Sequence, residues 1–132
     1  MALRWCRANM GIDESKEWQP IWHVVIDRYG QHIYGEYDAE DNEIFIYWTS
    51  IPTVEDLIRT IIHEWQHQLQ PIKGNYHKHK CYKNNPFEVE ARKAEEVWFR
   101  PCWNAVRTKV NKNLKNGLSN RKTKRGRSSA NE

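Results

Sequence analysis

Residues 53–71 read TVEDLIRTIIHEWQHQLQP, and this stretch decides the fold. Thr53 is a good N-cap, Glu55 and Asp56 put negative charge in the first turn where the helix dipole favours it, and Pro71 stops the helix at its far end. Between these signals Val54, Leu57, Ile58, Ile61, Ile62, Trp65 and Leu69 recur at helical spacing and gather into one stripe. The spacing predicts an amphipathic helix over 53–70 whose apolar stripe faces a core.

The same helix carries His63-Glu64-Trp65-Gln66-His67, an HExxH pattern. Histidines four residues apart stand one turn apart on nearly the same face, so both imidazoles can reach one metal ion. Glu64 falls on the flank of that face, where it can take a proton from an activated water without ligating. The ordinary alternative is that both histidines occupy the solvated side, since they lie opposite the apolar stripe. What separates the readings is a third ligand, because a catalytic zinc keeps three protein ligands and one open position.

A second helix is predicted over 86–100, with Asn85 as N-cap, Pro86 at the first helical position and Pro101 as its stop. Phe87, Ala91, Ala94 and Trp98 form a narrow apolar seam. Glu88 and Glu90 lie at its edges, and periodicity does not choose between them. Glu88 also has the spacing from Asn85 of a capping box. The linker 72–85 is long for a helix connection and supplies further donors in His77, His79 and Cys81. Tyr76, His77, His79 and Tyr82 are candidates for stabilising an oxyanion, equally well read as solvated loop residues.

Residues 33–37 and 44–48 are short β-branched and aromatic runs separated by turn formers at 38–42, the pattern of a β-hairpin, and 21–27 reads as a third strand. The expected fold is α+β: a small antiparallel sheet of two to three strands packed on the HExxH helix and a second, C-terminal helix.

HEWQHQLQ followed by PFEVEA resembles the HExxHxxQ and ExEA elements of minimal, single-domain gluzincins, the thermolysin-like zinc peptidases. The resemblance covers about residues 43–98. It implies His63 and His67 as the first two zinc ligands, Glu64 as the general base, and Glu88 as the third ligand, because the family's glutamate stands three residues before an alanine, here Ala91. It also implies that 44–48 is an exposed edge strand pairing with extended substrate. One departure stands out: many gluzincins carry an aspartate four residues after the glutamate ligand, orienting a histidine, and Arg92 occupies that place. An SprT-like protease, which acts near DNA and has histidine as third ligand, would need His77 or His79 for that role. Metzincins are excluded, since Lys73 stands where their third histidine falls.

Composition bounds the rest. A chain of 132 residues holds one compact domain. The lack of a long apolar run or a secretory leader, with three cysteines at wide spacings (Cys6, Cys81, Cys102), leads to the expectation of an intracellular, cytoplasmic protein with reduced thiols and no membrane partner. Of 21 Lys and Arg, nine fall after Asn104 against a single acid, Glu132. The chain thus divides into a zincin-like domain over 1–103 and a basic tail over 104–132, disordered or loosely helical, able to make weak contact with nucleic acid or an acidic partner. The functional expectation is a zinc-dependent metallopeptidase, cofactor Zn2+, acting on a peptide or protein substrate. The alternatives are the SprT-like enzyme and a non-enzymatic, basic nucleic-acid-binding protein.

Overall fold

The computed structural model describes residues 1–16, 19–26, 33–72 and 84–129, with side chains of the last segment described as far as Gly117. Seven elements follow in order: α1 (Ala2–Met10), β1 (Ile21–Val25), β2 (Gly35–Asp38), β3 (Glu43–Tyr47), a single 3-10 turn (Trp48–Ser50), α2 (Val54–Gln68) and α3 (Pro86–Ser129). The fold is α+β, a three-stranded sheet packed on helices. None of the described helices is long and apolar enough to cross a membrane.

The sheet is mixed rather than antiparallel, which corrects the sequence expectation. Its order is β1-β3-β2, with β2 antiparallel to β3 as the short turn between them requires, and β1 parallel to β3 on the other side. Asn42 adopts a left-handed φ of 53° in that turn, a conformation Asn tolerates better than most residues. Strand β3 takes the centre because it has something to bury on both faces. Ile44 and Ile46 are inside at 0% and 2% exposure, while on the opposite face Tyr47 is buried and Phe45 stacks on His23 of β1. Residues 44–48 are therefore not an exposed edge; Trp48 has already left the strand, and the edge beside α2 is β2.

Helix α2 begins as its sequence demands. Thr53 Oγ1 accepts from the Asp56 N–H at 3.1 Å, and Leu69 closes the last turn. Its apolar stripe packs Ile58, Ile61, Ile62 and Trp65 against Ile44 and Ile46 of the sheet and against α1. Each such side chain contributes roughly 1.5–3 kcal/mol on burial. The sequence reading contained no α1, although Ala2, Cys6 and Met10 recur at a four-residue spacing. Ala2 and Cys6 are buried in the same cluster, and Trp5 sets its edge on Trp98 of α3 with ring centroids 5.8 Å apart. Gly11 releases the chain from α1 at φ 85°, a value costly for any other residue, and its carbonyl accepts from Trp65 Nε1 at 2.9 Å.

The predicted stop at Pro101 is also corrected: α3 runs through it to Ser129. A proline inside a helix deprives the carbonyl four residues earlier of its partner, here that of Val97, a residue 64% exposed. Beyond the proline, Cys102 is completely buried and Trp103 and Val106 pack against the core, so tertiary burial carries the helix past its local breaker. From Arg107 to Gly117 the helix is exposed apart from a partly covered Val110.

Candidate metal centre

The histidine side of α2 is not solvated. It is covered by the first turns of α3, leaving Glu64 at 6% and His67 at 4% exposure, with the His63 side chain at 13%. Asn85 starts α3 by accepting the Phe87 N–H on Oδ1 at 3.0 Å, which fixes where Glu88 stands one residue later. Its carboxylate reaches both histidines: Oε2 lies 2.9 Å from His63 Nε2, and Oε1 lies 3.1 Å from His67 Nε2. His63, His67 and Glu88 thus bring one donor atom each to within 4.8 Å of the others. Glu90, the competing acid, is exposed and accepts from Gln66 Nε2 at 2.6 Å instead. His77, His79 and Cys81 lie outside the described residues, as do Tyr76 and Tyr82.

Each histidine is held from behind. His67 Nδ1 meets Gln70 Oε1 at 2.7 Å, and Gln70 Nε2 donates to the Phe87 carbonyl at 3.0 Å, which ties the end of α2 to the start of α3. Lys16 Nζ donates to the carbonyls of Gln68 and Gln70 and to Tyr37 Oη, setting a cation at the negative end of α2. His63 Nδ1 donates to Glu95 Oε2 at 2.8 Å. The family pattern points to the position four residues beyond Glu88 and passes over Glu95. The signal was available, because seven residues also make nearly two full turns and return to the same face. Glu95 therefore does for His63 what Arg92 cannot, fixing the ring and its tautomer through the far nitrogen.

The electrostatics suit a cation. Burial opposes ionisation of Glu88, but hydrogen bonds from His63 and His67 outweigh it and hold the carboxyl well below the usual carboxylate range. Burial likewise works against a charge on His63, yet its bonds to Glu88 and Glu95 raise it to about 10. Glu64 behaves differently: burial pushes it up to about 7, only partly offset by His67 and His63. Among the described residues its carboxylate makes no hydrogen bond, and it lines a cavity of about 250 Å³ that also touches His63 and Glu95. Among the described residues the proton on His63 is what offsets the carboxylates of Glu88 and Glu95, and an ion that takes its Nε2 has to replace that charge. A divalent ion accepting two imidazoles and one carboxylate does so, and the donor set is one that zinc takes.

Gly35 determines how closely the sheet approaches. A Cβ at this position would lie 2.7 Å from Thr60 Cγ2, 3.0 Å from the Phe45 carbonyl and 3.1 Å from Glu64 Cγ, so only glycine lets β2 lie directly against the Glu64 turn of α2. No family model, curated protein or solved structure matches this chain.

Proposed function

We propose that the protein is a zinc-dependent metallopeptidase, a reading that rests above all on Glu88 facing Nε2 of both HExxH histidines beside a buried Glu64 that has no hydrogen-bond partner among the described residues. The zinc ligands would be His63, His67 and Glu88. Bound there, zinc would supply Lewis-acid polarisation of a peptide carbonyl and of a water molecule. Glu64, buried beside the donor cluster, takes the proton of the attacking water and passes it to the leaving amine. Glu95 and Gln70 keep the two imidazoles in the tautomer that presents Nε2 to the ion. The gluzincin likeness of the sequence agrees with this assignment, and Glu95 answers the objection that Arg92 raised.

Two measurements test it. Purified protein should hold about one zinc per chain, whereas the His63→Ala, His67→Ala double variant should hold none. Against a fluorogenic peptide library, Glu64→Gln should retain the metal while turnover falls by roughly 10²–10⁴-fold. Equal zinc in wild type and double variant sinks the metal centre, and unchanged turnover in Glu64→Gln sinks the mechanism.

A further inference from the structure

The cavity beside His63 has two kinds of wall. Ile33 and Tyr34, both substantially exposed, line one part of it, and Thr60 belongs to its lining from α2. Glu64 and Glu95 supply the charge. Glu95 uses only Oε2 for His63; among the described residues Oε1 has no partner, and no lysine or arginine neutralises either acid. Glu95 also stands across the imidazole from Glu88, since His63 turns Nδ1 to the one and Nε2 to the other. A positive group that meets Glu95 is therefore separated from the donor cluster by the width of a ring.

We propose that this cavity, with Ile33 and Tyr34 on one wall and Oε1 of Glu95, unpartnered among the described residues, on the other, binds the side chain of a lysine or arginine in an extended peptide. The peptide aspect rests on the peptidase reading; the charge preference rests on the cavity itself. Such a side chain matches the lining along its length, because its methylene stem can lie on apolar surface while its head reaches a carboxylate. A peptide's N-terminal ammonium, attached directly to its backbone, lacks that reach when the backbone lies at the donor cluster. An apolar side chain would desolvate Glu95 without compensating it, and an acidic one would be repelled.

The test separates binding from turnover. Every sample is the 132-residue chain as purified, carrying Glu64→Gln so that nothing is consumed and Glu95 remains the only carboxylate among the described lining residues. Blocked Ser/Ala hexapeptides carry one lysine, or its uncharged counterpart norleucine, at each position in turn, and affinities are measured by calorimetry. At one position lysine should bind at least about tenfold tighter than norleucine. Adding Glu95→Gln should abolish that ratio, and adding Glu95→Asp, which keeps the charge, should restore most of it. Because the ratio is internal to each variant, a shift of the His63 ring does not mimic the result. Equal affinity in the reference chain, no binding of either peptide, or a ratio that survives Glu95→Gln overturns the proposal. If the ratio behaves as expected but the zinc-loaded wild type cleaves none of the lysine peptides, the peptidase reading fails and the cation site stands.

Discussion

The two sides of α2 are buried to the same extent by opposite means. Trp65 at 3% and Ile61 at 7% exposure face the sheet and α1; His67 at 4% and Glu64 at 6% face α3 and the cavity. On the first side, burial itself is the driving force. On the second, burial opposes every charge, and the side is held together only because His63, His67 and Glu88 satisfy one another and Glu95 and Gln70 complete the set. A buried polar cluster of this kind is poor at stabilising a fold and good at presenting chemistry. The comparison teaches that the fold stands on the apolar side while the polar side draws on it.

Trp65→Ala should produce the largest change in stability. It removes a core indole and orphans the Gly11 carbonyl, and it should cost roughly 3–5 kcal/mol in urea unfolding. A loss below 1 kcal/mol would place the fold's support elsewhere. The matching change on the other side is His63→Leu, His67→Leu, Glu88→Leu, which replaces the polar cluster by apolar side chains. We expect this variant to bind no zinc, yet to be as stable as the zinc-free wild type or more stable by about 1–4 kcal/mol. Collapse of the triple variant would show that the polar side holds the fold after all.

Glu64 offers a smaller and signed test. Its folded pKa of about 7 lies above the ordinary 4.5, so the penalty of holding it charged is absent below pH 4.5 and grows as pH rises to about 7. In the zinc-free protein Glu64→Gln should therefore stabilise by roughly 1–3 kcal/mol at pH 8, with the gain shrinking towards zero near pH 4.5. A gain independent of pH would point to packing instead.

His63 carries the opposite sign. Raised from 6.5 to about 10, it contributes stability to the zinc-free protein that is fully present below pH 6.5 and lost as pH rises through 10; the depressed Glu88 contributes stability above its ordinary value, lost on acidification. Zinc bound as proposed would have to displace the His63 proton. Its affinity should therefore climb about tenfold per pH unit from 7 towards 10, measured by chelator competition with hydroxide corrected for, rather than level off near 6.5 as at an unpaired histidine. A plateau by pH 7.5 would falsify the paired state of His63.

Gly35→Ala should have an effect of the same order as Glu64→Gln, a loss of roughly 1–3 kcal/mol as β2 is pushed off α2. Thr60→Ser, which removes the methyl group 2.7 Å away, should recover part of the loss. If the pair is no better than the single variant, the Phe45 carbonyl and Glu64 are the contacts that matter.

Read alone, the sequence determined what short-range physics controls. The limits of α2 follow from Thr53 and Pro71, the start of α3 from Asn85-Pro86, the β2–β3 hairpin from the turn formers at 38–42, and the pairing of His63 with His67 from helical spacing. It did not determine what depends on which surfaces meet. Glu88 and Glu90 are equivalent by periodicity on an isolated helix, and only the crossing of α3 over α2 turns one to the histidines and leaves the other at the rim. The same contact made Glu95 a partner of His63 and converted a face opposite the apolar stripe, which pattern reads as solvated, into a buried one. The parallel seat of β1, the passage of α3 through Pro101 and the docking of α1 were likewise decided by tertiary structure. In each case burial between elements distant in the chain outweighs a local preference worth only a few kcal/mol, and no window of neighbouring residues contains that burial.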